Sequence, residues 1–327
     1  MYFKIFKTQS REGNKPQRVG TRHAVETRHA LSLYPNLELV FWNFIFDAMQ
    51  AADLSRVLTE NAIIHSRFLQ REVKIDFFIP KNVADHREVS LLLINDGQNM
   101  RELGLKGILD NLYSQNQVSA LLCVGIYAGP ERKLEYGTAI QADYLGRGSR
   151  AGLYTLFIMH ELLPLVKKRF HHFHFTEKGF AGFSLGGLMA LDIVWNCPHE
   201  FSKVGVFSGS LWWRSLDHTR DDYEDELHRI MHQQIKKGRH HPGLKFFLTT
   251  GSLDETHDRN ENGIIDSIDD TIALINELES LGYKNEIDIR YINYDDGKHD
   301  IATWKRAMPE FLKWGWSPMA YPDGNNS

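Results

Sequence analysis

Cysteine is nearly absent: Cys123 and Cys197 are the only two in 327 residues. That excludes a disulfide framework, and their places, in an apolar strand-like run and at a helix end, mark both as core thiols. An excess of either charge is also lacking. The net charge is −4 with the two signs well mixed, which argues against nucleic acid or an anionic membrane as a partner. Long apolar runs are missing too. The longest near the start, Leu39 to Met49, is short and carries Asp47, so it cannot span a bilayer. The opening Met1-Tyr2-Phe3-Lys4-Ile5-Phe6-Lys7 has no apolar stretch with a cleavage site; the expected compartment is cytoplasmic. Internal repeats and low-complexity tracts are absent as well.

What is present suits a large core: 42% hydrophobic residues with 12% aromatics. The length would hold two average domains, but α/β folds often use it for one. Residues 1–55 are expected to form a poorly defined N-terminal extension. In it, Gln9 to Arg28 is polar, basic and aperiodic, and Leu37 to Leu54 has the pattern of a short amphipathic helix. Residues 56–318 are expected to form the main domain, and 319–327 a tail.

From Asn61 onward the pattern alternates. Strands are predicted at Ala62 to Ser66, Val73 to Ile79, Val89 to Asn95, Ala120 to Tyr127, Gly179 to Phe183, Lys203 to Phe207, Leu244 to Thr250 and Glu286 to Tyr294. Helices are predicted at Leu105 to Tyr113, Gly152 to Phe170 with a kink at Pro164, Leu188 to Asn196, Asp221 to Lys237, Asp270 to Leu281 and Ile301 to Trp314. For Asp221 to Lys237 the apolar face is Leu227, Ile230, Met231 and Ile235. Continuous apolar strands such as Val89 to Asn95 belong in a mostly parallel sheet covered by helices on both faces.

Gly182-Phe183-Ser184-Leu185-Gly186-Gly187 lies between an apolar run and a helical run. A serine at such a strand-to-helix turn is held in a strained conformation with its hydroxyl lifted off the sheet. The helix N-terminus behind it faces the place where an oxyanion would form. Ser184 is therefore the candidate nucleophile. A serine hydroxyl needs a base, and the base an orienting acid, in the chain order Ser, acid, His. The loop after Leu244 to Thr250 offers Asp254, with Glu255 as the alternative acid. Of sixteen histidines, His299 alone follows the final strand and precedes the closing helix. His171-His172-Phe173-His174 and His240-His241 read as solvated loops. The oxyanion donors are expected to be the N–H groups of Leu185 and of Gln98, in Asp96-Gly97-Gln98.

Taken in order, Ile94-Asn95-Asp96-Gly97-Gln98, the Ser184 motif, Ser208-Gly209-Ser210-Leu211-Trp212-Trp213 and Gly297-Lys298-His299-Asp300 resemble the esterase D family of α/β-hydrolases. That family includes enterochelin esterases, feruloyl esterases, S-formylglutathione hydrolases and the antigen 85 mycolyltransferases. The resemblance spans about residues 60 to 316. It implies the α/β-hydrolase fold and a serine carboxylic-ester hydrolase using Ser184, Asp254 and His299 through an acyl-enzyme. It also implies a small-molecule ester as substrate, no cofactor for catalysis, and Trp212 and Trp213 at the substrate pocket. Acyl transfer or peptide hydrolysis on the same fold, or a catalytically silent binding protein, are the alternatives.

Asp258-Arg259-Asn260-Glu261-Asn262-Gly263-Ile264-Ile265-Asp266-Ser267-Ile268-Asp269 adds a motif outside that family pattern. Oxygen side chains fall where an EF-hand-like loop needs them, with glycine at the sharp turn. The expected ligands of a structural calcium ion are Asp258, Asn260, Asn262, Ile264 through its carbonyl, Asp266 and Asp269. Such an ion would pin the loop carrying Asp254. The plainer alternative is a surface loop that caps the next helix.

Overall fold

A computed structural model describes residues 55–81, 83 and 88–318. The expectations for Gln9 to Arg28, Leu37 to Leu54 and residues 319–327 lie outside the described residues. Eight strands form one sheet: β1 (Val57–Ser66), β2 (Arg71–Pro80), β3 (Glu88–Asn95), β4 (Leu121–Ile126), β5 (His174–Phe183), β6 (Lys203–Phe207), β7 (Lys245–Leu253) and β8 (Ile289–Lys298). Their order is β1-β2-β4-β3-β5-β6-β7-β8. β1, β2 and β4 pair antiparallel, and from β4 onward every pairing is parallel.

Helices cover both faces: α1 (Met100–Leu103), α2 (Leu105–Ser114), α3 (Arg132–Glu135), α4 (Ala151–Phe157), α5 (Leu163–Arg169), α6 (Leu185–Asn196), α7 (Asp225–His228), α8 (Ile230–Lys236), α9 (Asp266–Ser280) and α10 (Ile301–Trp316). The period of two along the central strands sorts the core into two layers. Leu91, Leu93, Val204, Val206, Phe246 and Leu248 pack with α6, α8 and α9 on one face. Leu92, Ile94, Phe207 and Phe247 pack with α1, α2 and α10 on the other. α6 is buried from Leu185 through Trp195, which is why its sequence is apolar all round rather than striped.

Three elements depart from the sequence pattern. The expected helix Asp221 to Lys237 breaks in two at Arg229, whose backbone is extended (φ −75°, ψ 103°). Arg229 pairs with Arg214 in a short bridge and sends its guanidinium to buried Asp270 (2.9 Å). That charge pairing outweighs helix continuity, and Leu227, expected on the apolar face, is exposed. The expected kink at Pro164 takes the form of a widened turn, Ile158–Leu162, between α4 and α5. β8 continues to Lys298 rather than stopping at Tyr294, because its tail stays paired to β7 through Leu253 and Lys298. Among the described residues, no helix is long and apolar enough to cross a membrane.

Candidate active site

Ser184 caps the N-terminus of α6 with φ 53° and ψ −124°, a backbone state that costs a non-glycine residue about 1–3 kcal/mol. The crossing behind it is tight. A Cβ on Gly182 would lie 2.2 Å from the carbonyl oxygen of Gly186, so only glycine lets β5 and α6 meet at this angle. The Ser184 N–H donates to the Phe207 carbonyl (2.9 Å), and its own carbonyl accepts from Gly187, Leu188 and Ser210. The turn is thereby tied to both its helix and β6. The hydroxyl is left half-buried, 3.3 Å from the Ser210 hydroxyl.

The end of β3 is bound to this helix. Asn95 donates its amide to the Gly186 carbonyl (2.8 Å) and accepts from the Tyr154 hydroxyl (2.6 Å). Asp96 takes the left-handed conformation that Asp tolerates (φ 60°). Its buried carboxylate holds Arg132 by two bonds of 2.7 and 2.8 Å. Gln98 follows on the first turn after β3; its side chain bridges Asp96 Oδ1 (3.1 Å) and the Ala128 N–H (3.1 Å). Leu185 occupies the first turn of α6, where N–H groups have no intrahelical acceptor. The sequence marked Asn95 and Asp96 only as part of the motif leading to Gln98, and did not single out Arg132 or Tyr154.

Asp254 lies just past β7 and His299 just past β8. The two strand ends meet so closely that a Cβ on Gly251 would lie 2.4 Å from the Gly297 backbone. Asp254 Oδ2 accepts from the Gly251 N–H (3.1 Å), while Oδ1 is buried without a hydrogen bond. Burial pushes the Asp254 carboxyl up from its ordinary range; the Gly251 N–H, the Ser208 hydroxyl and the charge of His299 pull it back. Desolvation holds the His299 imidazole below its ordinary value, opposed by Asp254 and assisted by the Arg132 charge. A lowered imidazole pKa favours the neutral form, the one that can accept a proton. Its ring stands edge-on to Trp304 at 5.4 Å. Trp304 stacks on Phe183 (5.0 Å) and donates its indole N–H to the Ser208 hydroxyl (3.1 Å). Trp304 and Ser208 thus link the histidine, the acid and the elbow strand, another connection that the sequence pattern did not signal.

A cavity of about 270 Å³ is lined by Ser184, Ser210, Trp212, Asp254, Glu255 and His299, among others. Both candidate acids border it, Glu255 with one buried oxygen lacking a partner. The tryptophan pair divides. Trp212 lines the cavity beneath the Arg147 guanidinium, 4.7 Å from the ring centre. Trp213, expected beside it, is fully buried, with its N–H donating to Thr138 Oγ1 (3.1 Å). Successive residues of an extended turn face opposite ways, so one indole reaches the cavity and the other the core.

The loop of Asp258 to Asp269 is closed by its own side chains. Asp258 accepts from the N–H groups of Asn262 (3.1 Å) and Gly263 (2.8 Å). Asp269 accepts from the amides of Asn260 (2.7 Å) and Asn262 (3.0 Å). Asp266 instead turns to Arg259, accepting its backbone N–H (2.9 Å) and facing its guanidinium (3.1 Å). Ile264 is exposed. Among the described residues, no group of three or more His, Cys, Asp or Glu is placed to hold a metal ion. Four of the expected oxygen donors, Asp258, Asn260, Asn262 and Asp269, thus remain on one loop, while Asp266 is engaged by the Arg259 guanidinium.

The strand order and the serine elbow define an α/β-hydrolase fold, with antiparallel strands at one edge and the nucleophile turn after β5. Residues 66–314 match the model of the putative esterase family, and the chain belongs to it. The chain is 25% identical over 149 residues to the uncharacterized protein YbbA of Bacillus subtilis, covering 43% of this chain and 57% of that one. A 66-residue stretch is 33% identical to the siderophore triacetylfusarinine C esterase of Aspergillus fumigatus, covering 20% of this chain and 23% of the other. Among solved structures, the enterobactin esterase of Shigella flexneri superposes with a TM-score of 0.58 at 21% identity, covering 78% of this chain and 58% of that one. A ferulic acid esterase gives a TM-score of 0.58 at 17% identity, covering 79% and 97%. At these identities the structural likeness is one of fold. The chain spans somewhat over half the length of YbbA and of the enterobactin esterase.

Proposed function

We propose that this protein hydrolyses small-molecule carboxylic esters through an acyl-enzyme, with Ser184 as nucleophile, His299 as general base and Asp254 as the acid that orients it. The observation that carries the reading is the convergence of a strained, half-buried Ser184, a half-buried Asp254 and His299 on one cavity. In the first half-reaction His299 takes the Oγ proton as Ser184 attacks the ester carbonyl. The N–H groups of Leu185 and Gln98 receive the oxyanion, held in place by the Asn95 tie between β3 and α6 and by the hold of Asp96 on Arg132 and Gln98. Collapse expels the alcohol, protonated by the imidazolium, and leaves an acyl-Ser184. A water deprotonated by His299 then releases the acid by the same steps in reverse. Asp254 keeps the imidazole in the tautomer that can accept the proton; its unpartnered Oδ1 is the oxygen free for this bond.

The test is labelling. A fluorophosphonate should modify Ser184, identified by mass spectrometry of the peptide. Ser184→Ala should abolish p-nitrophenyl acetate hydrolysis while leaving the melting temperature nearly unchanged. A label on another residue, or retention of more than a few per cent of activity, would sink the assignment.

A further inference from the structure

Three strand ends meet around the acid. β6 ends just before Ser208, β7 just before Asp254, and β8 just before His299. All three residues line the same cavity as Ser184. Ser208 lies in the left-handed region, with φ 45°, a conformation that glycine adopts freely and serine only under strain. Its backbone is fixed there, the N–H donating to the Thr249 carbonyl of β7 (2.8 Å), and the residue is buried. A strained serine at a position that glycine would fill without strain points to work for its hydroxyl.

The partners of that hydroxyl show what the work is. The Trp304 indole N–H, which can only donate, gives its proton to Ser208 Oγ (3.1 Å). Ser208 therefore keeps its own proton for an acceptor. The acceptor it meets is the Asp254 carboxylate, which the Ser208 hydroxyl pulls down against the effect of burial. Trp304 is itself held in place, stacked on Phe183 at 5.0 Å and edge-on to the His299 ring at 5.4 Å. The Gly251 N–H, on Oδ2 (3.1 Å), is the other donor to Asp254. The acid is thus gripped from β6 as well as from its own strand.

We infer that Ser208 is a positioning residue for the catalytic acid: its hydroxyl, aimed by the Trp304 indole, holds the Asp254 carboxylate in the orientation that meets His299. This rests on the reading of Ser184, His299 and Asp254 as the triad. Ser208 acts on the reaction only through Asp254, and that makes the role separable from simple packing.

A double-mutant cycle with p-nitrophenyl acetate tests it. Turnover is expressed per active site, counted by fluorophosphonate labelling, so that unfolded enzyme does not enter. Ser208→Gly, which suits the backbone and removes the hydroxyl, should lower kcat by about tenfold to a hundredfold with KM little changed, the range of one hydrogen bond to a charged group. Trp304→Phe, which keeps a ring and deletes the N–H, should lower it less. Made on Asp254→Asn, neither substitution should cost more than about twofold, because the carboxylate they act on is gone. Wild-type turnover in Ser208→Gly overturns the inference. So does a loss that multiplies in full with that of Asp254→Asn, as a merely structural role would give. If Ser208→Gly does not fold, Trp304→Phe is judged by the same two outcomes. Failure of the parent reading is seen separately, as Ser184→Ala that still turns over the ester or Asp254→Asn that matches wild type.

Discussion

The two banks of the catalytic cavity are built differently. On the β3 side, Asn95 and Asp96 are already satisfied: Asn95 by Gly186 and Tyr154, and Asp96 by Arg132 and Gln98. On the β7 and β8 side, buried polar atoms wait: Asp254 Oδ1, Glu255 Oε1 and Ser267 Oγ lack partners. Among the described residues, neither ring nitrogen of His299 makes a hydrogen bond. In the mechanism proposed above, the first bank would fix where an oxyanion sits and so must not rearrange. The second would exchange protons and meet the substrate, which suits groups without a hydrogen-bond partner.

The largest expected effect breaks the open bank. Asp254→Asn, by trapping His299 in the wrong tautomer, should lower turnover on the order of 10³ to 10⁴, while Glu255→Gln should cost far less. Steady-state kinetics on both variants decides between the acids; a reversed outcome moves the role to Glu255.

Next comes the closed bank. Arg132→Ala strands the buried Asp96 carboxylate; losing one partner of a fully buried pair costs about 3–5 kcal/mol, and less is expected here because Arg132 is partly exposed and Gln98 still donates to Asp96. Chemical denaturation should register that loss, and a stability within 1 kcal/mol of wild type (roughly, on the same scale) would show that Asp96 does not depend on the pair.

The two banks also communicate through charge. Because desolvation and Arg132 depress the His299 pKa, kcat/KM for p-nitrophenyl acetate should rise with pH to a plateau whose midpoint lies below 6.5, the ordinary histidine value. The sign follows from the base being active only when neutral: activity is lost as pH falls through the depressed pKa. In an Arg132→Ala preparation that retains activity, this midpoint should move upward, since one cation has been removed. A pH profile with an acid limb centred above 6.5 contradicts the assigned desolvation.

The smallest expected effect concerns the loop behind Asp254. We propose that Asp258, Asn260, Asn262 and Asp269 take a calcium ion, with their amides turning to present oxygen. A hundredfold excess over Kd would then add about 2.7 kcal/mol of stability, or about 5–10 °C in Tm. Asp258→Ala with Asp269→Ala should abolish the response. Identical wild-type melting curves in millimolar calcium and in excess chelator would leave the loop held by its own hydrogen bonds.

Much of this molecule is determined by residues close together in the chain. The apolar runs that become β3, β5 and β6, the glycines that let β5 turn into α6, and the placement of Asp254 and His299 just past strand ends all follow from local pattern. Period and turn chemistry are set by neighbours. What the tertiary structure alone decided are pairings across long separations: Asn95 with Gly186, 91 residues apart, Asp96 with Arg132, 36 apart, and Arg229 with Asp270, 41 apart. The last of these broke an expected helix and left Leu227 exposed. It also took the fold to separate Trp212 from Trp213, and to bury Arg259 among aspartates. A charged side chain is buried only where its partner arrives, and nothing in its own stretch of sequence records where that partner will be.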